Sequence, residues 1–180
     1  MQEKLIPTLI LALLCLLIFW AMRAGWKSRQ KRQVQVGELP PVPAHYDDAE
    51  SVLAVPGVYI ATTIMGDWLD RIATQTLGVK AAGTFFVFDD ALIIARDGAE
   101  DIWIPATDII AVRTESGMSG KFVEKDGLVM VSWSLNGNAV DTGFRTQFAI
   151  DKQSLLSAIR AIAPQASTTL PDWPVSTLSR

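Results

Sequence analysis

Residues 5–22 form an uncharged, strongly apolar run of 18 residues near the N-terminus, LIPTLILALLCLLIFWAM. As a helix with a rise of about 1.5 Å per residue, such a run spans about 27 Å, close to the roughly 30 Å hydrocarbon core of a bilayer. The ten positions that follow carry five basic residues: Arg23, Lys27, Arg29, Lys31 and Arg32. The pattern predicts a transmembrane anchor over residues 1–26 rather than a buried helix of a soluble domain.

A cleaved signal peptide is the main alternative to an anchor. Signal peptidase requires small residues one and three positions before the cut, whereas Phe19 precedes Ala21 at that spacing and Met22 precedes Ala24. Cys15 lies in the middle of the run, where a lipoprotein cysteine is not expected. We therefore expect the helix to remain uncleaved, as a single membrane span.

The basic residues after the run predict its orientation. The N-terminal flank offers Lys4 against Glu3, whereas the C-terminal flank has five cations. By the positive-inside rule the C-terminal side is cytoplasmic, and the basic flank also attracts anionic lipid. This predicts a single-pass protein of the cell membrane; an exported domain remains the alternative if the topology is reversed. Residues 27–50 are predicted to be a basic juxtamembrane segment and a Pro-rich spacer.

The remainder of the chain is acidic. Of 16 basic and 19 acidic residues, six basic residues and one acid precede Gly37, so ten basic against 18 acidic residues leave a net charge of −8. This balance argues against nucleic acid as a partner. The one cysteine lies in the apolar run and the one histidine, His45, lies in the Pro-rich spacer, which excludes most metal and nucleophile chemistry. The sequence predicts no catalytic, cofactor-binding or metal-binding residue.

The region from residue 51 to 164 is predicted to be one mainly β domain. The first strand is predicted over residues 57–64, which are rich in β-branched and aromatic side chains. Residues 84–88 and 91–96 flank Asp89-Asp90 as a hairpin, and further strands follow at 102–104 and 109–115. Residues 128–135 and 140–150 alternate in character around Asn136-Gly137, which favours a type I′ turn. In the second of these strands the pattern places Phe148 and Ile150 on the same face as Phe144.

Two helices are predicted beside the strands. A C-terminal helix begins with Asp151 as its N-cap and ends at Pro164. A short second helix is predicted over residues 67–77, and residues 165–180 are predicted to be a loose tail. Seven strands and one amphipathic helix favour a partly open barrel that the helix closes at one end.

This order of elements resembles the pleckstrin-homology (PH) fold. The motifs GDWLDRI at 66–72, DIWIP at 101–105, GMSGK at 117–121 and DTGFR at 141–145 are similar to a family of actinobacterial membrane-anchored proteins with a bacterial PH-like domain. Some members of that family are labelled transporters or export proteins. The resemblance covers about residues 1–163 and implies a scaffold without a catalytic residue. Lipid-binding PH domains cluster basic residues after the first strand, where this chain has two acids beside Arg71, so phosphoinositide binding is not expected.

Five residues are candidates for an interaction surface. Trp68 and Arg71 fit an interaction loop or, as the simpler interpretation, a short amphipathic helix. Gly117 and Gly120 flank a turn without any known phosphate-binding pattern. Arg145, like Arg113, lies on a predicted strand, where a cross-strand pair with a carboxylate such as Asp141 or Glu115 is the ordinary use.

These observations predict a non-enzymatic, membrane-anchored scaffold or adaptor whose PH-like domain binds a protein partner at the inner membrane face. The alternative is a domain that binds a lipid headgroup or small ligand, as an accessory subunit of a transport or cell-envelope system. No cofactor is expected.

Overall fold

A computed structural model of the chain describes residues 13–20, 23, 37–67, 71–72, 74–118, 121–122 and 124–169. The chain divides into two compact units, Met1–Gln35 and Val36–Arg180. In the first unit residues 13–20 and 23 are helical and exposed. Of the helices that can be described, none has both the length and the apolar character to cross a membrane. Most of the predicted anchor, with Lys27, Arg29, Lys31 and Arg32 of its basic flank, lies outside the described residues.

The second unit contains the strands β1 (Leu53–Ile64), β2 (Ala81–Val87), β3 (Ala91–Arg96), β4 (Ile102–Pro105), β5 (Ile109–Glu115), β6 (Gly117–Met118), β7 (Lys121–Phe122), β8 (Leu128–Leu135) and β9 (Asn138–Thr146). Seven of them form an antiparallel sheet with strand order β4-β3-β2-β1-β9-β8-β5. The C-terminal helix spans Asp151–Ile162. Strands β6 and β7 form a separate two-stranded ribbon. The mainly β prediction, with seven strands followed by one helix, is confirmed, and the ribbon is an addition to it.

Local turn chemistry sets the two central hairpins. Asn136 and Gly137 adopt φ values of 50° and 79°, as a type I′ turn requires. Leu135 pairs with Asn138 across this two-residue loop, which fixes the register of β8 on β9. Asp89-Asp90 joins β2 to β3 in the same antiparallel manner. Both hairpins lie where the sequence predicts them.

The main core lies between the C-terminal helix and one face of the sheet, here called the inner face. Leu155, Leu156 and Ile159 of the helix pack against strand residues that include Trp133 and Phe144. Polar groups within this core are satisfied by a chain of hydrogen bonds through Tyr59, Thr62, Thr142 and Trp133. Such a chain removes the cost of burying unpaired hydroxyl and indole groups. The opposite side of the sheet is called the outer face.

The C-terminal helix begins differently from the prediction. Ile150 precedes the helix in a helical conformation without a side-chain cap, so Asp151 is the first helical residue and not the N-cap. Its carboxylate still lies in the first turn, where it complements the partial positive charge of the helix N-terminus. Strand β9 ends at Thr146, and the predicted continuation of its face is wrong: Phe148 is 57% exposed and Ile150 81% exposed.

The predicted short helix over residues 67–77 is absent from the part of this segment that the structure describes. Arg71 forms an isolated antiparallel bridge with Thr63, and Thr74–Thr76 forms a 3-10 turn. Gln75 and Thr76 both have positive φ, which is incompatible with a continuous right-handed helix. Ile72 is buried, but it lies outside any helix.

The folded unit extends beyond both ends of the predicted domain. Tyr46 packs with Phe88 and Ile93 on the outer face of β2–β4, and its hydroxyl donates a 2.9 Å hydrogen bond to Asp90. Leu39 joins the main core. The described part of the predicted spacer, residues 37–50, is therefore packed on the sheet, although His45 is exposed as expected. At the other end, Ser167 pairs with Ala111.

Candidate interaction face

The register of the central strands brings four polar side chains into one row on the outer face. Thr63 lies opposite Asp141, which lies opposite Ser132. Arg71 lies opposite Thr63 on its other side. Since directly opposed residues of antiparallel strands project to the same face, Arg71 belongs to the same row as Asp141.

A buried charge network crosses this row. The Arg113 guanidinium lies 2.9 Å from Asp141 Oδ2 and 3.0 Å from Glu115 Oε1, and it also donates to the Ser132 hydroxyl. Ser132 in turn donates to Asp141. Arg113 is 9% exposed and Asp141 4% exposed. Desolvating such a pair is costly, and only several good hydrogen bonds offset that cost. The predicted cross-strand pairing of Arg113 is confirmed for Asp141 of β9, whereas Glu115 pairs with Arg113 from two residues further along the same strand.

A small apolar cluster lies beside the charge network. Met118 of the ribbon packs with Met130 and with Ile60, Ala61 and Leu128 of the sheet. Gly143 makes room for it, because a Cβ added there would lie 2.5 Å from Met118 Sδ and 3.1 Å from Met130 Sδ. The absence of a side chain at position 143 therefore allows the ribbon to dock on the outer face.

Two ion pairs hold the residues that flank the ribbon. Glu115, just before β6, pairs with Arg113; Glu124, just after β7, accepts two 2.9 Å hydrogen bonds from Arg145. The second pair is exposed, with 48% of the Arg145 side chain accessible. The pKa of Glu124 is lowered by backbone hydrogen bonding at Glu124 itself and then by Arg145. The ribbon thus lies between two arginine–glutamate pairs with Met118 buried between them.

A third arginine, Arg96, donates its hydrogen bonds to backbone carbonyls. Arg96 donates to Glu100 O at 2.8 Å and to Thr76 O at 3.1 Å, and its guanidinium lies 4.9 Å from the centre of the Tyr59 ring. Burial lowers the pKa of Arg96 and raises the pKa of Tyr59. These bonds hold the strained turn at Gln75 and Thr76. An open cleft of about 580 Å³ lies at this end, lined by Gln75, Thr76, Gly98, Ala99 and Glu100.

The structure brings three of the five predicted interaction residues to the outer face. Arg71 lies in the polar row, Gly117 begins the ribbon, and Arg145 holds the end of the ribbon through Glu124. Trp68 and Gly120 lie outside the described residues. Met118, which anchors the ribbon, was not among the predicted residues, although a lone methionine in a Gly-rich turn between strands is the signal that points to it.

Within the described ranges, no group of three or more His, Cys, Asp or Glu side chains is placed to hold a metal ion. The adjacent acids at residues 89–90 and 100–101 each include one carboxylate that binds a group of the domain itself. Asp90 accepts the Tyr46 hydroxyl, and Asp101 accepts the Arg96 backbone N–H at 3.1 Å.

Seven antiparallel strands followed by a C-terminal helix that packs on the sheet define a PH-like domain. A family model described as bacterial PH domain-like matches residues 36–160, more than half of the chain. The chain therefore belongs to the bacterial PH domain-like family. The match begins at the residue where the second compact unit begins.

Two solved structures are similar to this chain. A chain of the 8S snRNP assembly intermediate is 9% identical with a TM-score of 0.46, over 76% of this chain and 96% of that chain. Vav1, in a structure inhibited by an allosteric inhibitor, is 16% identical with a TM-score of 0.40, over 79% of this chain and 34% of that chain. Among curated proteins, none matches this sequence.

Proposed function

We propose that this chain is a single-pass membrane protein whose bacterial PH-like domain serves as a non-enzymatic scaffold for a protein partner at the inner face of the cell membrane. The PH-like domain is of a scaffold or adaptor type. Membrane attachment, orientation and the partner are the proposed parts.

The N-terminal sequence supports the attachment. The 18-residue uncharged run has the length of a membrane span, and the five cations after it favour a cytoplasmic C-terminal side. Residues 13–20 are helical, and their large apolar side chains are exposed, including Leu16 at 67% and Phe19 at 71%. Contiguous apolar exposure of this kind is typical of a surface that lipid or protein covers.

The main support for a protein partner is that three arginines of the domain already bind groups of the domain itself. Arg113 and Arg145 are paired with carboxylates of the domain itself, and Arg96 is surrounded by its carbonyls. An anionic headgroup needs cations that are free to bind phosphate. Two of these cations are paired with carboxylates, the third donates to backbone carbonyls, and the chain from Gly37 onward carries a net charge of −8, so a protein surface is the better ligand.

Topology can be tested in intact cells. Protease added from outside should leave the domain intact and should remove it only after the cells are opened. Removal of the domain in intact cells would place it outside and contradict the proposed orientation.

Two binding experiments separate protein from lipid as the ligand. A pull-down of the full chain from detergent-solubilised membranes should recover a discrete partner above a control with an unrelated single-span anchor. Flotation of residues 36–180 with vesicles that contain anionic phospholipid should leave the protein at the bottom of the gradient. Flotation without the anchor, together with an empty pull-down, would favour the headgroup-binding alternative.

A further inference from the structure

The chain adds its own C-terminal segment to one edge of the sheet. Strand β5 is the last strand of the sheet, and Ser167 pairs with Ala111 beside it in the parallel direction. The Ser167 N–H donates to Ile110 O at 2.9 Å, and the Val112 N–H donates to Ser167 O at 2.8 Å. This is strand addition at a sheet edge, performed by the chain on itself.

The segment reaches β5 through a compact turn after the helix. Ala163 is 1% exposed and closes the helix, and the Ala166 N–H donates to Ala163 O at 3.0 Å. Gln165 donates to Ala106 O at 2.7 Å. Thr168 and Thr169, directly after the pair, are exposed. The segment is therefore placed by the end of the helix and held on the edge mainly by two backbone hydrogen bonds.

The attachment is slight in comparison with the sheet that it extends. Seven residue pairs join β8 to β9, whereas up to residue 169 the C-terminal segment joins β5 through the single pair at Ser167. A backbone hydrogen bond makes only a modest net contribution to stability, because the same groups bond to water when it is broken. A competing extended segment could replace two such bonds without disturbing the core.

The paired segment also lies beyond the part of the chain that matches the family. The family match ends at residue 160, and the pair forms at Ser167. The edge of β5 belongs to the PH-like domain, whereas its occupant is a separate addition. Strand β5 runs on to Glu115, past Val112, which makes the last bond to the described part of the tail.

We propose that the β5 edge is the docking site for an extended segment of the protein partner, and that residues 166–169 are an internal competitor for it. This inference rests on the proposed function. The tail itself shows what the edge accepts: an extended backbone parallel to β5, with side chains as small as Ala166 and Ser167. The net charge of −8 from Gly37 onward favours a segment with basic residues.

Site-specific photo-crosslinking of the full chain in cells tests the proposal. A photoreactive residue at Thr114 reports on the β5 edge, one at Ile150 reports on the exposed turn before the helix, and one at Val79 reports the background. Each is placed in the unchanged chain and in Ser167→Pro, which lacks the N–H that bonds to Ile110 O. Thr168→Pro is the matched control, since Thr168 is exposed and lies outside the bridge.

We expect a discrete adduct at Thr114 that rises about fivefold in Ser167→Pro, in keeping with the loss of about one net hydrogen bond, and that stays unchanged in Thr168→Pro. An excess of a synthetic peptide of residues 163–170 should suppress it in membrane extracts. Hydrogen exchange at Val112 verifies that the edge is free in Ser167→Pro; where exchange stays slow, a chain that ends at Gln165 replaces it.

The contrary outcomes are distinct. Adducts at Ile150 but none at Thr114 would overturn the edge and leave the proposed function standing. Equal adducts at Thr114 in all backgrounds would overturn the role of the tail as competitor. Background labelling at every position, with an empty pull-down, would overturn both the edge and the protein partner.

Discussion

Asp141 and Arg113 form an almost fully buried ion pair on the outer face of the sheet, with Arg113 Nη2 2.9 Å from Asp141 Oδ2. The two residues come from strands at opposite sides of β8, and Ser132 of β8 bonds to both. The pair therefore ties three neighbouring strands together beneath the ribbon.

Removing one partner of this pair should be far more harmful than removing both. Arg113→Met leaves Asp141 as a buried charge without its cation, and we expect a loss of about 3 kcal/mol in the free energy of unfolding measured with urea. The double variant Arg113→Met with Asp141→Leu should recover most of that loss. Arg145→Met, which removes an exposed pair, is the control and should cost less than about 1 kcal/mol. A double variant as unstable as the single one would contradict this account.

A side chain at position 143 should displace the ribbon. The Cβ of Gly143→Ala would lie 2.5 Å from Met118 Sδ, so the Met118 side chain must shift away from the sheet. We expect a loss of about 1–3 kcal/mol in stability and faster hydrogen exchange at Gly117 and Met118. The double variant with Met118→Ala relieves the collision and should restore part of the stability while the fast exchange remains. Unchanged exchange in Gly143→Ala would show that the ribbon docks by other contacts.

Local signals in the sequence were sufficient to predict the strands of the sheet. Asn136-Gly137 demands positive φ at two successive positions, and alternation over residues 128–135 predicts a strand, although the structure buries that strand on both faces. The alternation over residues 140–150 places Asp141 on the face opposite Phe144 but does not predict that Asp141 is buried. Its burial depends on the ribbon and on Arg113, which is 28 residues away in sequence, and no local pattern contains that contact.

The ends of the domain were unpredictable for a related reason. Pro-rich composition at residues 40–43 favours an extended chain, and the segment does lack regular structure there. Composition does not predict that Leu39 and Tyr46 are buried and hold this segment on the sheet. Phe148 and Ile150 show the reverse case, since their spacing continues the strand pattern although the strand has already ended at Thr146.

Arg96 should be irreplaceable by lysine. Its guanidinium donates to carbonyls of both Thr76 and Glu100, and a single ammonium cannot reproduce that planar fork. We expect both Arg96→Lys and Arg96→Met to lower the free energy of unfolding by about 2–4 kcal/mol, because backbone carbonyls lose their donors. Thermal unfolding of each variant beside Arg160→Met, at an exposed position of the C-terminal helix, measures the effect. A stable Arg96→Lys variant would show that charge alone holds the turn.

The carboxyl group of Glu124 should titrate below its ordinary pKa of about 4.5. A lowered pKa in the folded state means that the stabilisation is present above the unfolded pKa and is lost as the pH falls through the folded pKa. Carbon-13 NMR of the side-chain carboxyl should therefore give a midpoint below the ordinary value. In Arg145→Met the midpoint should rise only part of the way, because the backbone hydrogen bond at Glu124 is the larger cause and remains. The stabilities of the wild-type chain and this variant should converge in acid, below the folded pKa. Complete recovery of the ordinary midpoint in Arg145→Met would assign the shift to the ion pair alone.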